Sequence, residues 1–168
     1  MRSVEARVHR KAAGTLSVGY AVEGDLARLR IPVPGRSRIG ARLWQHTCCE
    51  IFIARRPMPA YHEFNFSPSG EWAAYAFERY REGKSLTDEA LQPSITLRTA
   101  DRKLKLGAVI PLNRLLSADF SGKLKLALSA VIEDADGGLS YWALRHPPGK
   151  ADFHHPEAFA LELDEIRN

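Results

Sequence analysis

Tyr61-His62-Glu63-Phe64-Asn65-Phe66-Ser67-Pro68-Ser69-Gly70-Glu71-Trp72-Ala73-Ala74-Tyr75 reads as two strands joined by a Ser-Pro-Ser-Gly turn. Pro68 pre-sets the backbone at the second turn position, and Gly70 relaxes it on the way out. Alternation puts His62, Phe64 and Phe66 on one face of the first strand and Tyr61, Glu63 and Asn65 on the other. A phenol, a carboxylate and an amide in one row form a polar strip inside an aromatic hairpin. Such a strip suits ligand recognition better than it suits a core.

Outward from this hairpin, strand patterns dominate. Val4 to Lys11, Leu16 to Val22 and Leu26 to Val33 read as early strands, closed by Pro32, Pro34 and Gly35. Leu43 to Ala54 reads as one strong strand. The charged run after Phe77 predicts a loop over Arg79 to Pro93, with a helical turn and a role at a site mouth. Strands resume at Ile95 to Thr99 and Leu104 to Pro111, with a helical turn from Pro111 to Leu116. Leu124 to Glu133 pairs with Leu139 to Arg145 across the Asp134-Ala135-Asp136-Gly137-Gly138 turn, and Phe159 to Leu163 is a last strand. About ten short strands with little helix predict an all-β fold of two stacked antiparallel sheets or a closed barrel.

The 168 residues predict one domain, residues 1–168, with 45% apolar content to fill its core. No apolar run is long enough to span a bilayer, so no membrane partner is expected. Met1 to Arg7 alternates charged and apolar residues without an apolar signal core, which predicts a cytoplasmic protein. Net charge is +4, with its basic residues dispersed and no recognised motif beside them, so no nucleic-acid partner is expected. Cys48 and Cys49 are strand neighbours pointing to opposite faces, which argues against a disulfide between them. One buried and one half-exposed thiol is the expected arrangement.

Three segments concentrate chemistry. In Leu43 to Ile53, alternation puts Trp44, His46, Cys48, Glu50 and Phe52 on one side. Glu50 among apolar neighbours requires a donor or a ligand. A structural ion pair with an arginine is the competing reading. In the hairpin, Glu63 and Asn65 project together and Trp72 follows the turn. An aromatic plane beside carboxylate and amide groups is the kit for a sugar: the ring stacks on the apolar sugar face and the polar groups hold hydroxyls. In Tyr141 to Pro156, a stiff Pro-Pro-Gly loop presents His146, Lys150, Asp152, His154 and His155. Metal ligation by His146, His154 and Asp152 or Glu63 matches no established spacing, and no metal is expected. No Gly-rich phosphate loop, nucleophile elbow or His-Glu-x-x-His motif is present.

The Glu63 to Tyr75 run, Leu43 to Phe52, and the Tyr-Trp-Ala-Leu-x-His-Pro-Pro-Gly-Lys-x-Asp-Phe-His-His-Pro run from Tyr141 resemble the bacterial DOMON-like proteins. Their superfamily includes family 9 carbohydrate-binding modules and the haem-binding cytochrome domains of some dehydrogenases. The resemblance implies a jelly-roll-like β-sandwich with one ligand pocket or groove on one sheet. Sugar-binding relatives hold a terminal saccharide between two tryptophans, for which Trp44, Trp72 and Trp142 are the candidates. Haem-binding relatives use a methionine with a histidine or lysine. Met58 is the only internal methionine here, and His146, Lys150 and His154 are the other candidates.

The expected function is non-catalytic binding of a saccharide or sugar-derived metabolite. Glu50, Glu63 and Asn65 would take hydroxyls, Trp72 and Trp142 would stack, and Trp44, His46, His146, Lys150, Asp152 and His154 would complete the groove. A haem module is one alternative. An acid/base enzyme using Glu50 or Glu63 with His146 or His154 is another, and a partner-binding aromatic face is a third. Oligomeric state is left open.

Overall fold

The computed structural model describes residues 3–11, 14–55, 57, 59–117 and 122–164. Among them, strands β1 (Ser3–Lys11), β2 (Thr15–Glu23), β8 (Ser94–Ala100) and β9 (Lys103–Ile110) form a four-stranded sheet in the order β1-β2-β9-β8. The larger sheet has eight strands. β11 (Leu139–Ala143), β10 (Leu124–Glu133), β4 (Cys48–Arg55), β5 (Tyr61–Phe66), β6 (Glu71–Arg79) and β3 (Arg38–Ile39) follow one another across it. β12 (Leu161–Leu163) also pairs with β10, and β7 (Glu82–Leu86) with β6. Among the described strands, only β3 runs parallel to its neighbour. The expected all-β sandwich is the fold observed.

Alternation explains the packing. β2 sends Leu16, Val18, Tyr20 and Val22 inward, and β9 adds Leu104, Leu106, Ala108 and Ile110. They meet Ile51, Ile53, Phe64, Phe66, Trp72, Leu124, Leu126 and Leu128 from the large sheet in one core. Each fully buried large apolar side chain of this kind contributes roughly 1.5–3 kcal/mol. The large sheet is therefore closed on its inner face, and its outer face is left to be covered by turns and loops.

Three segments depart from the sequence expectation. Leu43–Gln45 is a 3-10 turn, and β4 begins only at Cys48. Arg42 enters this turn in the left-handed region, at φ 52°, which breaks the strand that propensity favours. Leu26–Arg28 is likewise a 3-10 turn, followed by a single bridge from Leu29 to Asp134. Pro32 and Pro34 leave this segment short of the amide donors a ladder needs. Third, Glu82–Leu86 pairs with β6 where a loop is expected. Its charged, glycine-containing sequence has weak strand propensity, but β6 supplies a template. A Cβ on Gly83 would lie 2.5 Å from the Ala76 carbonyl oxygen, so glycine is required at that close approach.

Both cysteines are free and buried, where one was expected half-exposed. β4 is a central strand covered on both faces, which leaves no wet side for Cys48.

Candidate functional site

The outer face of the large sheet carries the polar strip. Glu50 on β4 lies opposite Asn65 on β5, and Glu63 on β5 lies opposite Phe52, so the two glutamates are diagonal neighbours on adjacent central strands. Both are buried, at 3% and 6% exposure, and both line a cleft of about 360 Å³. Strand order places Val131 of β10 and Tyr141 of β11 on one flank, and Tyr75 and Phe77 of β6 on the other. Trp44, carried by the 3-10 turn, meets Tyr75 edge to face with centroids 6.0 Å apart. Phe153, from the loop after β11, packs beside Tyr141 at 6.1 Å. Trp44 and Tyr141 remain 40% and 49% exposed, which leaves aromatic surface on both sides of the carboxylates.

The carboxylates have few partners. Glu50 accepts from the Ser129 hydroxyl at 3.2 Å. Glu63 accepts from the Asn65 amide at 2.9 Å. Asn65 is itself wholly buried, and its Oδ1 has no hydrogen-bond partner. Burial raises the Glu50 pKa well above the carboxylate range and the neighbouring Glu63 charge adds to this, while the Ser129 hydroxyl opposes it. Glu63 is raised by burial too, against the lowering effects of Asn65 and Arg81.

His154 closes the site from the loop. Its Nε2 stands 3.7 Å from the Glu63 carboxylate, and its Nδ1 lies 2.9 Å from the Tyr61 hydroxyl. The ring is wedged edge-on between Phe52 and Phe77, each at 5.0 Å. Burial, with the positive charge of Arg81, lowers its pKa to about 4, against the smaller opposing effect of Asp152. The ring is therefore neutral near pH 7. The Tyr61 oxygen already accepts the Arg81 backbone N–H at 3.1 Å, which leaves its hydroxyl hydrogen for Nδ1. The imidazole proton then falls on Nε2, facing Glu63.

Asp152 fastens this loop to the β6–β7 turn. It accepts from Tyr80 at 2.5 Å, from Arg81 at 2.8 Å and from the His154 amide at 3.1 Å. Arg81 adopts the left-handed region at φ 58° in that turn, an uncommon conformation for a side-chain-bearing residue.

The structure thus brings together Trp44, Glu50, Glu63 and His154 of the residues expected from sequence, with Asn65 and Asp152 behind them. Five others lie elsewhere. Trp72 is on the inner face of β6, 1% exposed in the core, because one residue of parity separates it from Ala73 and the cleft side. Trp142 pairs with Ala130 and packs on the same inner core, so it is Tyr141 that faces the cleft. His46 is drawn to Glu133 at 2.7 Å. His146 lies outside the cleft lining, with its ring 6.2 Å from Phe153, and Lys150 is exposed and also outside it.

Phe77 and Val131 lie outside the segments expected to carry the site, and Tyr75, Arg81, Tyr141 and Phe153 lie inside them without having been given a role. Parity identifies Tyr75, Phe77 and Tyr141 once the polar face is known. Arg81 falls in the loop expected at a site mouth, and the pairing of β7 with β6 is what singles it out there. For a haem, His154 has one ring nitrogen on Tyr61 and the other facing Glu63, so neither is free for an iron. Met58 lies outside the described residues. Among the described residues, no three His, Cys, Asp or Glu side chains group as metal ligands.

No protein-family model matches the chain, and no curated protein matches it. Solved structures do. A candidate carbohydrate-binding protein from Bacteroides uniformis ATCC 8492 superposes with a TM-score of 0.69 at 17% identity, covering 92% of this chain and 74% of that one. A family 9 carbohydrate-binding module from Caldicellulosiruptor kristjanssonii, in complex with glucose, gives 0.55 at 14% identity over 98% of this chain and 78% of its own. The cellotriose complex of a family 9 module from the same organism gives 0.51 at 14% identity, covering 89% of this chain and 69% of that one. These likenesses show a fold like that of carbohydrate-binding modules.

Proposed function

We propose that this protein is a non-catalytic, DOMON-type binding domain that holds a saccharide in the cleft on the outer face of the large sheet. The observation that carries the reading is the pair of buried carboxylates flanked by the exposed rings of Trp44 and Tyr141. A sugar has apolar C–H faces and a rim of hydroxyls. The rings suit the first and the carboxyl groups the second. The sandwich shared with modules solved around glucose and cellotriose supports the same reading. Trp44, Tyr141 and Phe153 would stack. Glu50 and Glu63 would take hydroxyls, and His154 and Arg81 would line the rim.

Calorimetric titration with glucose and cellotriose tests it. Binding is expected, and it should weaken by about tenfold or more in Tyr141→Ala and Glu63→Gln with the melting temperature no lower than the parent's. Parent protein that gives no heat with either sugar, or variants that bind as the parent does, would sink the reading.

A second reading has one observation in its favour. A neutral His154 3.7 Å from a carboxyl with a raised pKa is an acid/base arrangement. Turnover of a glycoside with a bell-shaped pH profile, lost in Glu63→Gln, would favour it over simple binding.

A further inference from the structure

A neutral sugar's hydroxyls can satisfy the carboxyl groups of the cleft but bring no counter-charge to two of them buried side by side. Facing this pair are Cys48 on β4, Tyr61 on β5, Tyr75 on β6, Arg81 in the β6–β7 turn, and Asp152 and His154 in the loop. Burial raises the thiol of Cys48 and the phenols of Tyr61 and Tyr75, which keeps all three neutral. His154 is neutral as well. The remaining cation, Arg81, is spent on Asp152 at 2.8 Å. Neither glutamate forms a short ion pair with an arginine or lysine among the described residues. Meanwhile the walls present aromatic rings on both flanks: Trp44 and Tyr75 on one, Tyr141 and Phe153 on the other.

An aromatic enclosure over an anionic floor is the arrangement that recognises an ammonium group. The ring faces attract a cation electrostatically, and the buried carboxylates supply the counter-charge. We infer that the cleft takes a ligand bearing a cationic amine, seated between Glu50 and Glu63 with the rings of Trp44, Tyr75 and Tyr141 around it. In its saccharide form, which rests on the reading above, the ligand is an amino sugar with a free amine. Ion pairing requires ionised carboxylates. A pair that holds a proton when empty must therefore release it to solvent as the cation enters.

The test compares four probes by calorimetry at pH about 6.5, where a free amine is protonated: glucosamine, N-acetylglucosamine, glucose and methylamine. Glucosamine should bind at least about tenfold more tightly than glucose and N-acetylglucosamine. Its apparent enthalpy should change between buffers of different ionisation heat, with the sign of proton release. In Glu50→Gln, checked for a melting temperature no lower than the parent's, the preference for glucosamine over glucose should fall below about threefold. Glucose or N-acetylglucosamine binding as tightly as glucosamine, with no proton released, overturns the ammonium inference and leaves the saccharide reading standing. Binding of methylamine without any sugar supports the ammonium site and overturns the saccharide reading. A parent protein that binds none of the four overturns both.

Discussion

The two faces of the large sheet use the same strands for opposite ends. On the inner face, Ile51, Ile53, Phe64, Phe66, Trp72 and Leu126 exclude water against the small sheet. On the outer face, one residue along each strand, stand Glu50, Glu63, Asn65 and Ser129, all buried and only thinly hydrogen-bonded. The inner face stabilises the fold. The outer face costs stability, since desolvated carboxyls are kept without full compensation. Functional polarity is affordable here because a period of two lets adjacent residues answer to different layers.

That contrast can be broken first at Trp72. Trp72→Ala should remove roughly 3–5 kcal/mol of stability, read from urea unfolding, because it empties an inner-face site. On the outer face, Glu63→Gln should cost roughly 1.5–3 kcal/mol of sugar affinity while leaving or raising the unfolding midpoint. The neighbouring pair Tyr141 and Trp142 sharpens the point. Tyr141→Ala should lower affinity, whereas Trp142→Ala should lower stability and leave affinity within about twofold.

Proton linkage gives a smaller effect with a definite sign. Glu50 and Glu63 have folded pKa values above the ordinary carboxylate range. Their contribution to stability is full below that range and is lost as pH rises through the folded values. His154, lowered to about 4, runs the other way. Its contribution is full above the ordinary imidazole range and is lost as pH falls toward 4. The melting temperature should therefore decline as pH rises from about 6.5, where the His154 contribution is complete, to about 8, and Glu50→Gln should flatten that decline. Smallest of all, Asp152→Asn should weaken the tie between the loop and the β6–β7 turn, lowering sugar affinity about twofold to fivefold by titration.

The sandwich was legible from clean alternation in β2 and β9, from the strand-length apolar patterns of β5 and β10, and from the turn residues between strands. So was the polar strip, because Glu63 and Asn65 share a parity that no core could accept unsatisfied. Which aromatic residues join that strip was misread for Trp72 and Trp142. Tryptophan is a frequent sugar platform, and the residue type outweighed the parity that places both on the inner face. The Trp44 and His46 placement followed from extending β4 backward through a segment that Arg42 turns out of the strand. Arg81 reaches the cleft through the pairing of β7 with β6, a tertiary event that local propensity does not encode.

Adjacent Cys48 and Cys49 offer a separate use of the two-faced sheet. Each thiol is buried beneath a different layer: Cys49 in the core between the sheets, and Cys48 with Leu43 and Ala73 under the 3-10 turn. A small alkylating reagent can reach Cys49 only when the sheets part, and Cys48 only when the turn lifts. With one cysteine replaced by alanine at a time, the two labelling rates become clocks for two distinct opening motions. A ligand seated against Trp44 slows the Cys48 clock more than the Cys49 clock.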